Sequence, residues 1–185
     1  MALAAALLSL IVAIEREPLP PLRTILTLLA LGVLGNGVYQ FLFIEGIART
    51  RASDAALVVA ATPAFVALIG RARGVERITS RGVLGIVLSI AGIGLVVLGT
   101  TRMTDGRASL IGDLLVLGGS LAWAMFTVLL KPHTEHLSGM QVSAFTMVGG
   151  ALVLVVIATP AISSANWGAF PAIGWAAFAY STVFA

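Results

Sequence analysis

Apolar residues fall into long, almost uncharged runs separated by short polar gaps. The runs cover residues 2–14, 24–44, 52–70, 82–101, 110–130 and 138–159, and a seventh begins near Ala172. The runs 52–70 and 82–101, 19 and 20 residues long, match the roughly 20 apolar residues that carry a helix across about 30 Å of hydrocarbon. The pattern predicts an all-α membrane protein, a polytopic bundle of transmembrane helices. The pair 52–70 and 82–101 reads as a transmembrane hairpin closed by the basic connector 71–81. That connector sets Arg71, Arg73, Arg77 and Arg81 against a single acid, Glu76.

The gaps supply the topology. All are short, so neighbouring helices must run antiparallel and alternate connectors fall on opposite sides of the membrane. Connectors 15–23, 71–81 and 131–137 together hold seven Lys/Arg; connectors 45–51, 102–109 and 160–171 hold four. By the positive-inside rule the first set is expected in the cytoplasm, in a bacterial-type plasma (inner) membrane. Pro18, Pro20 and Pro21 stop a helix and stiffen the first connector. Trp167 and Trp175 are expected near an interface, where aromatic belts lie. The first run is too short to span at about 1.5 Å per residue. It has no basic n-region, and Glu15-Arg16-Glu17 stands where a signal peptide would place small residues. It reads as a transmembrane helix cut at its start. The apolar run 175–185 reads as one cut short, so the chain is expected to be a fragment of a longer protein.

Inside the runs, small residues show how helices meet, because close packing holds helices together in lipid. Ala52, Ala56, Ala60 and Ala64 form one column, Gly85 and Ser89 a second, Gly118 and Ala122 a third; Gly32, Gly35 and Gly37 thin the run 24–44. Polar residues in the same runs are the candidates for function. Asn36 and Gln40 are one helical turn apart with Tyr39 beside them. They read either as the lining of a substrate path or as interhelical hydrogen bonds. Pro63 takes away the N–H that would bond the Val59 carbonyl, and Thr62 is placed to satisfy it. This break reads either as a binding-site border or as a tolerated kink. Trp123 lies near the middle of the run 110–130. Glu45 is a possible coupling carboxylate if buried, or the partner of Arg49 four residues on. Asp54, after Ser53, and Asp113 read as helix N-terminal residues meeting unpaired N–H groups.

Composition narrows the classes further. The chain is 59% hydrophobic and 10% charged, with a mean hydropathy of +1.06, whereas soluble domains are about a quarter charged. A net charge of +3 and a pI near 10.2 do not point to nucleic acid, because the basic residues sit in the gaps between apolar runs. With no cysteine there is no disulfide, thiolate metal site or cysteine nucleophile. His133, His136 and Glu135 are a weak metal signal, so neither a metal nor a cofactor is expected. No paired aspartates, HExxH or phosphate loop occurs, and the chain does not read as an enzyme.

Several stretches together are similar to a known family. They are 35–43; Ala52-Ser53-Asp54-Ala55-Ala56-Leu57; Thr62-Pro63 with Phe65 and Ala67-Leu68; Gly74-Val75-Glu76-Arg77-Ile78-Thr79; and Gly82 and Gly85 with Ala91-Gly92. Gly112-Asp113-Leu114-Leu115 and Ser120-Leu121-Ala122-Trp123-Ala124 follow in order. They resemble the EamA family of the drug/metabolite transporter superfamily over nearly the whole chain. Arg71 and Arg73 stand where that family is usually apolar, and Glu45 where it is usually uncharged.

The resemblance implies ten transmembrane helices in two inverted five-helix repeats with both termini cytoplasmic. Residues 1–101 would be the end of the first repeat (helices 2–5), and 108–185 the start of the second (helices 6–8). It also implies a transporter of small organic solutes, often outward, working by alternating access. Asn36, Tyr39, Gln40, Pro63 and Trp123 would then lie near a central cavity. Partners would be a small solute and the lipid bilayer, with homodimerisation open. The rival expectation is a non-transporting membrane subunit or scaffold whose polar residues only join helices.

Overall fold

A computed structural model of the chain describes residues 1–15, 18–75, 78–100, 106–164 and 171–184. Glu76, Arg77 and Trp167 lie outside the described residues. The elements are α1 (Ala2–Glu15), α2 (Leu22–Gly32), a π-helical segment (Val33–Val38), α3 (Tyr39–Ile47), α4 (Ala52–Ala60) and α5 (Thr62–Ala72). They are followed by α6 (Ser80–Thr100), α7 (Gly106–Thr134), α8 (Gly139–Ser164) and α9 (Ala172–Phe184). No strand occurs among the described residues. Among the described residues, four stretches are long and apolar enough to cross a membrane: Leu22–Ile47, Ala52–Ala72, Leu110–Thr134 and Gly139–Ser164. The polytopic membrane helix bundle read from the apolar runs is what the chain forms.

The helices overrun the apolar runs at polar ends. Arg71 falls in the last turn of α5, and α7 continues through Pro132 to Thr134. Hydropathy ends where charge begins, but backbone hydrogen bonding does not. The run 52–70 is two helices, not one. Ala61 (φ −86°, ψ −2°) separates α4 from α5, and Pro63 sits in the first turn of α5, where its missing N–H is harmless. The Val59 carbonyl that Pro63 leaves free accepts the Thr62 hydroxyl at 2.6 Å. That bond meets the requirement that backbone groups at membrane depth find internal partners.

The bundle is built around the continuous helix Leu22–Ile47. Its first half packs on α8 and its second half on α7; α1 lies on α8, and α4 and α5 lie on α7. The contacts are small-residue contacts. A Cβ added to Gly32 would lie 2.0 Å from the Thr146 carbonyl oxygen, and one on Gly149 would lie 2.1 Å from that of Leu29. Alanine is the commonest buried apolar residue (Ala5, Ala55, Ala61, Ala64, Ala122 and Ala124 among them), whereas large side chains such as Leu84, Leu88, Leu95, Leu152 and Val156 point outward. Water cannot favour that surface, but a bilayer does.

Two of the expected small-residue columns are not contact faces. Of the column Ala52, Ala56, Ala60 and Ala64 the first three are exposed and the fourth is buried, and α4 buries Ala55 and Val58 instead. Gly85 is exposed with open space beside it, and α6 buries Ile86. A small residue every fourth position marks a possible contact, but the partner helix decides which face is used.

The connectors meet as alternation requires. At one end, the Gln141 amide donates to the Pro18 carbonyl at 3.1 Å, and Pro20, Pro21, Pro132, His133 and His136 line one cavity of about 370 Å3. At the other, Thr50 meets Asp113. Connectors 15–23 and 131–137 thus share an end of the bundle opposite 45–51.

Gly149→Val should force Leu29 from α8 and cost at least about 1–3 kcal/mol through overpacking. Gly85→Val, with nothing within 4 Å, should not. Thermal unfolding of the two variants in detergent, followed by size-exclusion profile, separates them; equal melting would contradict the packing described.

Candidate functional site

The central helix does not pass its neighbours as a regular α-helix. Over Val33–Val38 the bonding widens to the π pattern, with backbone angles still right-handed at both ends (Gly32 φ −62°, ψ −40°; Tyr39 φ −53°, ψ −53°). The segment reads Val-Leu-Gly-Asn-Gly-Val, so two glycines flank Asn36. π-Helical turns interrupt regular bonding and are frequent at functional sites. Here the wide turn sits where the helix passes from α8 to α7.

The wide turn divides the polar set read from the sequence. Asn36 packs against α8: a Cβ on Gly150 would lie 2.3 Å from Asn36 Cβ. Tyr39 turns toward α7, its ring 5.0 Å from that of Trp123 and 5.7 Å from that of Phe43. Trp123 in turn lies 5.2 Å from Phe126, whose ring covers Gly35. The result is a row of four rings, Phe43, Tyr39, Trp123 and Phe126, joining α3 to α7 beside Asn36. Such pairs are each worth about 0.5–1.5 kcal/mol beyond their burial. Asn36, Tyr39 and Gln40 are each partly exposed and Trp123 is more so. The row therefore combines aromatic faces with accessible amide groups.

Pro63 is exposed on α5. Its neighbours Val59 and Phe65 pack on a core of Ala55, Val58, Ala61 and Val116, along with Phe43 and Leu117. Phe43 is thus common to this core and the aromatic row. An apolar groove of about 450 Å3 opens on the same side, lined by Phe43, Ile47, Ala52, Ala55, Ala56 and Val59. None of Asn36, Tyr39, Gln40, Pro63 and Trp123 lines it.

The carboxylates divide sharply. Glu45 forms an ion pair with Arg49, which also donates to the Glu45 backbone carbonyl at 2.6 Å. The two side chains are 38% and 43% exposed. Asp54 lies in the first turn of α4, where its charge meets the positive end of the helix, and accepts the Ser53 hydroxyl at 3.1 Å. The residue preceding that helix is Arg51, and no side-chain cap bond forms there. Asp113 is not an N-terminal residue. α7 starts at Gly106, so Asp113 lies about two turns inside it. It is fully buried and accepts the Thr50 hydroxyl through Oδ1.

Two features were missed in the sequence. The clustered Gly35-Asn36-Gly37 is the signal for the wide turn. Gly112 is the signal for buried Asp113: a Cβ there would lie 2.7 Å from the Thr50 nitrogen. The connector closes directly over the carboxyl. His133 and His136 line the cavity at the opposite end, and among the described residues no group of three metal-binding side chains forms.

Removing the ring at Tyr39 (Tyr39→Ala) should shift and broaden the Trp123 emission in a protein whose other tryptophans are replaced by phenylalanine. Glu45→Gln should leave it unchanged. A spectrum insensitive to Tyr39 would mean the two rings are not in contact in lipid.

Comparison with known proteins fits this architecture. A family model described as the EamA-like transporter family matches residues 1–98. An uncharacterized transporter of Bacillus subtilis, YyaM, is 27% identical over 157 residues, covering 84% of this chain and 52% of the relative. A second from the same organism, YetK, is 23% identical over 180 residues, 96% of this chain and 54% of the relative. An uncharacterized transporter of Archaeoglobus fulgidus is 29% identical over 134 residues, 72% of this chain and 45% of the relative. The chain spans about half the length of these curated relatives. No solved structure matches it.

Proposed function

The chain belongs to the EamA-like transporter family, and on that premise we propose that the protein moves small organic solutes outward across a membrane by alternating access. The observation that carries this reading is the π-helical segment at Asn36. Irregular backbone at membrane depth is tolerated where it is buried in protein or lines a cavity. Helix interruptions of this kind border binding sites in transporters. In this reading Asn36 and Gln40 offer amide donors and acceptors to a polar group of the solute. Tyr39 and Trp123 offer faces to its apolar part, and the break at Pro63 lets α4 and α5 move separately.

The arrangement of repeats gives the motion its interface. With residues 1–101 in one repeat and 108–185 in the next, the helix Leu22–Ile47 of the first lies between α7 and α8 of the second. Its contacts there run across glycines, which offer little side-chain interlock to resist sliding. The arginine and lysine excess of connectors 15–23, 71–81 and 131–137 supports a cytoplasmic side for them. Relatives named as transporters support the class of activity.

Asn36→Ala and Gln40→Ala should each lower efflux of a transported solute about tenfold, the loss of about 1.4 kcal/mol of recognition, while membrane abundance stays at the wild-type level. Solute accumulation in cells expressing each variant, across a broad panel of small amines, acids and aromatic compounds, checks this. Wild-type efflux by both variants would remove these residues from the path.

A further inference from the structure

The cavity between connectors 15–23 and 131–137 lies apart from Asn36 and the aromatic row. Thr24, on its wall, is twelve residues before Asn36 on the central helix, about 18 Å along it. The cavity measures about 370 Å3, near the small end of the roughly 300–1,000 Å3 of ligand pockets. Pro20 and Pro21 enter it ahead of α2, and Pro132, His133 and His136 at the end of α7 and just beyond.

Its walls are fixed from both sides. Prolines hold their own backbone angles, and Pro20 is buried. The Thr24 N–H donates to the Pro21 carbonyl at 2.8 Å, so α2 begins at the wall itself. Across the cavity the Thr134 hydroxyl donates to the Lys131 carbonyl at 2.8 Å, and the Ser138 hydroxyl accepts the Gln141 N–H at 3.3 Å. The buried Gln141 amide then ties α8 to the Pro18 carbonyl. A pocket held this way asks for little ordering when it is filled.

The lining chooses among ligands. Three proline rings make flat apolar faces, and proline rings are surfaces on which aromatic rings dock, as when aromatic-lined grooves take proline-rich segments. The polar groups are few: the Thr24 hydroxyl and two imidazoles. His133 Nδ1 is sealed and without a partner among the described residues, so the edge this ring offers a ligand is Nε2. Charge does not favour an ion. The two connectors carry Arg16, Arg23 and Lys131 against Glu15, Glu17 and Glu135, which balance, and none of these six lines the cavity. An ion moved there from water would leave its hydration without a paired charge in the wall. Two imidazoles also fall short of the three or four protein ligands of a zinc site.

We propose that this cavity binds a small uncharged aromatic compound carrying one hydrogen-bonding group. The ring lies on the faces of Pro20, Pro21 and Pro132, and the polar group meets Thr24 and the imidazoles. That the cavity is the port where an exported solute is first taken up rests on the transporter reading; the binding itself does not.

The chain has two histidines, so nitrogen-15 labelling of histidine in lipid nanodiscs gives a spectrum of two residues, assigned with His136→Ala. Benzamide is titrated beside benzoate, benzylamine and cyclohexanecarboxamide, its anionic, cationic and saturated counterparts. Benzamide should shift the His133 signals saturably. The charged counterparts should bind at least about tenfold more weakly, and the saturated one more weakly than benzamide. This series needs no substitution. Thr24→Val, which keeps the shape of the side chain, should weaken benzamide about fivefold, the loss of one hydrogen bond. Shifts that grow linearly with benzamide mark partition into lipid only and overturn the proposal. Equal binding of any counterpart, or a titration unchanged by Thr24→Val, overturns it too. Saturable binding in a protein that exports no solute of the panel upholds the site and overturns the transporter reading.

Discussion

Close approach of backbones along the helix Leu22–Ile47 is the constraint on which the rest of the bundle depends. In lipid there is no hydrophobic gain in bringing two apolar helices together, so association rests on packing and on hydrogen bonds. Here Gly32 meets the Thr146 backbone, Gly149 meets Leu29, and Gly46 meets Gly112. One helix thereby touches α8 with its first half and α7 with its second. The outer helices are added to that three-helix centre, α1 on α8 and α4–α5 on α7. Their exposed faces carry the leucines and valines that lipid accepts.

The same constraint shapes the candidate site. A helix pressed against two neighbours in succession must turn its contact face from one to the other. The π-helical segment over Val33–Val38 lies at that handover, and the flanking glycines allow it. One consequence is that Asn36 is held to α8 while Tyr39 is delivered to the aromatic row on α7. A second is a local departure from regular bonding in a region without water. The chain shows the same economy at Pro63, where a neighbouring hydroxyl takes the carbonyl that proline abandons. These two irregularities are thus accommodated by small residues in one case and by a hydroxyl in the other.

How much of this was legible in the sequence follows from what each signal depends on. Hydropathy is a property of single residues summed over a window, so the runs, the antiparallel order and the membrane class could be read directly. The Val59 carbonyl and Thr62, and the pairing of Glu45 with Arg49, are contacts within about one helical turn and were legible for that reason. The contact faces of α4 and α6 were not, because only the partner helix selects among several small-residue columns. The burial of Asp113 was hidden for a different reason. It depends on a connector 63 residues away in sequence folding back over Gly112, and on α7 starting earlier than its apolar stretch does.

Asp113 and Gln141 show how the two ends of the bundle differ. At one end Gln141, also buried, makes a neutral hydrogen bond to the Pro18 carbonyl. That connector is stiffened by three prolines, so the bond joins parts with little freedom to move. At the other end the Thr50 hydroxyl meets the Asp113 carboxyl, and the break at Ala61 follows soon after between α4 and α5. The two fastenings thus differ in kind, an amide on a backbone carbonyl at one end and a hydroxyl on a carboxyl at the other.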